Sequence, residues 1–151
     1  MIVREFRRED LDRCLDLNRI QFAESGQFTH INLDMEKLKN SYLHSINNPR
    51  LKVFVMEKDE KIVGACAVSL VQYLWNYDTF VYDHFYYIHP DYRGGLNAFK
   101  LFKRVEEYAK RCKALEIHFN YAHSHEFNKM NVFLSRLGYA KFNEGYRKMV
   151  I

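Results

Sequence analysis

An arginine and two glycines, Arg93-Gly94-Gly95, stand between an aromatic run ending in His89-Pro90 and a long stretch of helical spacing. These residue types suit an anion. A helix start leaves backbone N–H groups unpaired and carries partial positive charge. Glycines let a phosphate approach the backbone with no Cβ in the way. Pro90 denies the sheet a donor and turns the chain out of it. The Arg93 guanidinium can pair with phosphate oxygens. One reading is a pyrophosphate cradle between a strand and a helix. The other is a β-α turn with glycine at its bend and a surface arginine. Neither GxxxxGK[ST] nor GxGxxG is present, which excludes a P-loop and a dinucleotide fingerprint.

Other constellations carry less. His118, His123 and His125 could ligate zinc, but no cysteine or second spaced pair joins them, so no metal is expected. Cys14, Cys66 and Cys112 are odd in number and lack CxxC spacing, which predicts reduced thiols and a cytoplasmic setting. No Gly-x-Ser-x-Gly signature points to covalent catalysis. The aromatics from Tyr73 to Tyr82 could stack bases, yet the net charge is only +4, which argues against a nucleic-acid partner. No apolar run approaches the roughly 18 residues of a membrane helix, and the first residues have no signal-peptide core.

The elements that must position these residues follow from periodicity. The 151 residues suit one domain over 1–151. Strands are predicted over 2–6, 51–58, 62–71, 80–88 and 114–119, with two closing strands in YAKFNE and YRKMVI. A helix follows Asp10, and a second begins after a cap at Asn32, with a polar loop 24–32 between them. The helix over about 95–112 turns Ala98, Leu101, Phe102, Val105, Tyr108 and Cys112 inward. A last helix over 126–137 stops at Gly138. The order is β α α β β β α β α β β, a mixed α/β sheet, mostly antiparallel, with one right-handed β-α-β crossover.

The stretch YYIHPDYRGGLNAFKLFKRVEEYAK resembles the acyl-CoA-binding motif of the GNAT superfamily of N-acetyltransferases. Ile88, Pro90, Arg93 and Ala98 match. Leu96 stands where the family has a glycine, and Gly94 and Gly95 move the flexibility earlier. The element order, and FLSRLGYAKFNEGYRKMV near the end, are similar to the family as well. The resemblance implies a GNAT fold and acetyl-CoA as cosubstrate. The acyl-CoA contacts it implies are Tyr86, Tyr87 and Ile88 on the strand, Arg93, Gly94, Gly95, Leu96, Asn97 and Ala98 in the loop, and Asn128. It further implies direct attack by a primary amine of a small molecule or peptide, in a gap between strands 80–88 and 114–119. Homodimerisation is left open.

The family places a base in the strand matching 80–88, and Asp83 is the best match. It lies among Phe80, Tyr82, Phe85, Tyr86 and Tyr87, where desolvation would raise its pKa. The alternative is His84, on the opposite face by strand alternation. The family's acid is a tyrosine four residues before the glycine that ends the last helix. Here that position is Leu134, so Tyr121, water or no group at all assists the leaving thiolate. A GNAT-like domain that binds CoA or a protein without catalysis is the other reading.

Overall fold

The computed structural model describes residues 1–94, 96–120, 127–142 and 146–150. The chain forms two compact units, Met1–Asn120 and Tyr121–Ile151.

The first unit is a five-stranded sheet in sequence order, β1 (Ile2–Glu5), β2 (Leu51–Lys58), β3 (Lys61–Gln72), β4 (Thr79–Ile88) and β5 (Glu116–His118). The first four strands pair antiparallel, and β4 pairs β5 in parallel. β3 is an almost unbroken apolar run, buried from Ile62 to Val68, as expected of a central strand covered on both faces. Helices α1 (Leu11–Ser25) and α2 (Met35–Asn47) cover one face, and α3 (Asn97–Arg111) covers the other.

Each face has its own core. Under α3 lie Phe54, Met56, Cys66, Val68, Val81 and Ile88, packed against Leu101, Val105 and Tyr108. Under α1 and α2 lie Val53, Val55, Ala65, Ala67 and Tyr87, packed against Cys14, Leu17 and Tyr42. The alternation of β2, Val53 and Val55 one way and Phe54 and Met56 the other, follows from the two-residue period of a strand.

β4 breaks that period once. Ala67 faces Phe85 and Val68 faces Asp83, so His84 is an extra residue in β4. Val81 lies on the α3 face, and so does Asp83, whose cross-strand partner Val68 is in the same core. After the bulge, Tyr86 and Ile88 take that face, while Phe85 and Tyr87 turn to α1 and α2. A bulge of this kind adds twist and re-aims the strand.

Several boundaries differ from the sequence pattern. The cap of α2 is Asp34, not Asn32: the Asp34 side chain accepts from Lys37 N at 2.9 Å. Glu24 and Ser25 belong to α1, not to the loop, and Gly26 ends the helix at φ 61°. Asp10 does not cap α1. It is buried, and its carboxylate binds Arg4 and the Arg7 backbone N–H. β5 is three residues rather than six.

In the second unit, α4 runs Phe127–Arg136 and Gly138 follows at φ 87°, as the sequence pattern predicts. The two closing strands are not formed among the described residues: 139–142 and 146–150 carry no strand. Phe142, Tyr146 and Val150 are exposed there. A period-two pattern specifies a face but does not specify which strand, if any, pairs with it, and 143–144 and 151 of the predicted strands lie outside the described residues.

Candidate active site

β4 and β5 pair only at Phe80–Glu116, Val81–Ile117 and Tyr82–His118. Beyond them no β4–β5 pairing exists among the described residues, so the two strands part next to Asp83. Asn120 spans the opening. Its backbone N–H donates to Asp83 Oδ1 at 2.8 Å, and its side-chain amide donates to the same oxygen at 3.1 Å.

Asp83 is 6% exposed. Burial pushes its carboxyl up to about 6, against the hydrogen bonds from Asn120 and the nearby His118, which pull it down. Such a group is ionised at neutral pH yet basic enough to accept a proton. His84 sits on the other face. Its Nε2 shares a 2.9 Å hydrogen bond with Ser69 Oγ, and burial lowers its pKa. The structure thus separates the two candidate bases onto opposite faces of β4, as alternation predicts for this pair.

Of the expected strand contacts, Tyr86 packs its ring 4.8 Å from Phe102, which lies 4.4 Å from Phe119. Phe102 is buried, and Tyr86 and Phe119 pack against the core beneath α3. Ile88 is buried in the same core, and Tyr87 points the other way, its hydroxyl donating to Glu24. Tyr86 and Tyr87 are therefore not on one surface.

Arg93 follows a single 3-10 turn, Pro90–Tyr92. Its Nε donates to the Ile88 carbonyl at 2.8 Å, and its Nη1 and Nη2 grip Glu24 at 2.7 and 2.8 Å. The guanidinium also lies 5.2 Å from the Tyr87 ring centre. Sequence reasoning missed Glu24, because the pattern placed it in the loop 24–32 and cannot show which distant arginine a carboxylate will meet. It missed Asn120 for the second of these reasons.

Gly94 has φ 93°, a conformation that glycine adopts without strain. Gly95, Tyr121, His123 and His125 lie outside the described residues. Leu96 is exposed and occupies the cap position of α3 without a side-chain hydrogen bond. Asn97 ties its amide to the Tyr92 carbonyl at 3.0 Å, and Ala98 packs on the core beneath α3. The first turn of α3 contains no acidic residue. Its N–H groups and dipole therefore present a site suited to a phosphate. Asn128 is exposed in the first turn of α4, and Leu134 is half-buried in that helix. No group of three metal-ligating side chains occurs among the described residues.

The family model of the acetyltransferase (GNAT) family matches residues 11–139, and the chain belongs to that family. Comparison with curated proteins finds no match. Solved structures share the fold at low identity. A mutant of protein BH1408 from Bacillus halodurans is 19% identical with a TM-score of 0.77, all of both chains being covered. A predicted acetyltransferase from Clostridium acetobutylicum, solved with acetyl-CoA, is 16% identical with a TM-score of 0.78 over 98% of this chain and 95% of that one. Ribosomal-protein-alanine N-acetyltransferase from Brucella melitensis is 13% identical with a TM-score of 0.73 over 99% of this chain and 100% of that one.

Proposed function

We propose that the protein is a single-domain, cytoplasmic N-acetyltransferase that moves the acetyl group of acetyl-CoA to a primary amine by direct attack. The observation that carries this is the position of Asp83: a buried carboxyl with a raised pKa where β4 and β5 part. Acetyl-CoA supplies an activated thioester. The N-terminus of α3 and the Gly94 turn hold its phosphates, with Arg93 beside them. Asp83 takes the proton from the acceptor ammonium. The amine nitrogen then bonds to the acetyl carbon, the carbon–sulfur bond breaks, and the second proton shed by the nitrogen passes to the departing sulfur. The thiolate departs without a tyrosine at position 134, as a thiol of near-neutral acidity permits.

The acceptor is a small molecule or a peptide. Structural relatives named for an aminoglycoside and for ribosomal-protein alanine support both classes. Leu134 favours one other reading, a GNAT-like domain that binds CoA without turnover. Incubation with acetyl-CoA and an amine panel, following thiol release, decides between them. Turnover that falls about a hundredfold in Asp83→Asn, with acetyl-CoA binding retained, is the expected result. Thermal stabilisation by acetyl-CoA without thiol release from any amine would leave the binding domain.

A further inference from the structure

The sheet face shared with α1 and α2 extends beyond their cover. The core beneath those helices reaches Val53, Ala67 and Phe85. Beyond it, cross-strand rows place Ser69, Tyr82 and His118 side by side, then Val71, Phe80 and Glu116. Tyr73 closes this surface, its ring 4.9 Å from that of Phe80. His118 stacks on Phe80 at 4.3 Å.

Glu116 is the fixed carboxylate on this surface. Tyr73 donates its hydroxyl to Glu116 Oε2 at 2.7 Å, and His118 Nε2 lies 2.8 Å from the same oxygen. Those two bonds hold the carboxyl below the usual range, so it is ionised at neutral pH. The side chain is 56% exposed, and no lysine or arginine contacts it among the described residues. A second carboxylate, Asp78, lies close enough to act on Tyr73. An oriented carboxylate beside aromatic faces is the chemistry that receives an organic cation.

The spacing adds a length. Glu116 stands two residues before His118, the last residue of β5 paired to β4, and four before Asn120 at the opening. At about 3.3 Å per residue, Glu116 lies roughly 7–13 Å from the opening between the last strand pair and Asn120. We propose that Glu116, oriented by Tyr73 and His118 on this ring-lined face, binds a second cationic group of the acceptor. The favoured acceptors are then dibasic amines whose two nitrogens are roughly 7–13 Å apart, the span of an extended diamine of about five to nine carbons. The acetyltransferase reading fixes where the reacting amine sits, and the proposal rests on it for that point alone.

Calorimetric titration of the CoA-bound protein with hexamethylenediamine, hexylamine and ethylenediamine tests it. Hexamethylenediamine should bind about tenfold more tightly than either of the others. Glu116→Gln should abolish that preference, and Tyr73→Phe should reduce it. Glu116→Asp withdraws the carboxylate by one methylene and should move the preferred diamine one carbon longer. Equal affinities, or a preference that survives Glu116→Gln, would overturn the proposal. Should Glu116→Gln fail to fold, a reduced preference in Tyr73→Phe supports the proposal and an unchanged one overturns it. Thiol release followed in parallel with acetyl-CoA separates the two readings. Turnover without the diamine preference rejects the cation site alone. A Glu116-dependent preference without turnover rejects acetyl transfer and leaves the cation site standing.

Discussion

Arg93 grips Glu24 with both terminal guanidinium nitrogens, joining the turn after β4 to the last turn of α1. The loop that follows α1 begins two residues later, at Gly26. An arginine that the family motif assigns to phosphate is thus already engaged by a carboxylate. In the proposed complex, the phosphates of acetyl-CoA compete with Glu24 for it.

Glu24→Gln removes that competition. Acetyl-CoA should therefore raise the Tm of Glu24→Gln by more than it raises that of the natural protein. The variant itself should be less stable by about 1 kcal/mol, since both partners are partly exposed and such pairs are worth little. Differential scanning fluorimetry with and without ligand measures both quantities. Equal ligand-induced shifts would mean that Arg93 stays on Glu24 and the loop alone holds the phosphates.

Asp83 makes stability fall as pH rises. Its carboxyl titrates near 6 in the folded protein, up from its ordinary 3.8. Between those values the folded state holds more protons than the unfolded one, so each pH unit costs about 1.4 kcal/mol, roughly 3 kcal/mol in all. Below about pH 4 there is no cost, and above about pH 6 it is fully present. Asp83→Asn cannot ionise, yet its amide oxygen can still accept from Asn120. Urea unfolding should find the variant similar to the natural protein near pH 4 and more stable near pH 8. Parallel profiles across the window would mean that Asp83 titrates normally.

The fold was legible where the pattern was strong. The run Ile62–Val68 could only be a buried strand, and α3 shows its inner face in the spacing of Leu101, Phe102, Val105 and Tyr108. Residues 139–142 and 146–150 mislead because alternation says nothing about a pairing partner. Asp83 was legible as a carboxylate among aromatics, and its burial agrees with that reading. Its partner Asn120, the Glu24–Arg93 pair and the bulge at His84 were not. Each depends on register or on contacts across many residues, which local periodicity does not encode.

Gly94 offers a test of the turn before α3. At φ 93°, any residue with a Cβ is strained, and that Cβ would meet nothing within 4 Å. The cost of Gly94→Ala is therefore conformational, about 1–2 kcal/mol. If the turn relaxes, the phosphate site relaxes with it. At about a hundredfold its Kd, acetyl-CoA should stabilise the natural protein by roughly 2.7 kcal/mol, and Gly94→Ala by less. Gly94→Asn should recover part of both losses, because asparagine tolerates positive φ better. Full ligand stabilisation of Gly94→Ala would remove this turn from the phosphate site.

The bulge at His84 supports a sharper test, because removing the residue should change the site without changing the core. Deleting a residue from a strand normally throws every later side chain onto the wrong face. Here the register makes His84 the surplus residue: Val68 faces Asp83 and Ala67 faces Phe85. Without His84, Asp83 and Phe85 become neighbours in regular alternation, and Val81, Tyr86, Tyr87 and Ile88 keep their present faces. The deletion should therefore fold, with a cooperative thermal transition. What it loses is the local twist, and that twist lies where β4 leaves β5. A straighter β4 would continue alongside β5 past Tyr82 and close the opening, so acetyl-CoA should no longer raise the Tm. His84→Ala retains the extra residue and should keep the ligand-induced rise. Loss of the rise in His84→Ala as well would assign the effect to the imidazole rather than to the bulge. A deletion variant that folds and binds acetyl-CoA undiminished would show that the strands part for a reason other than His84.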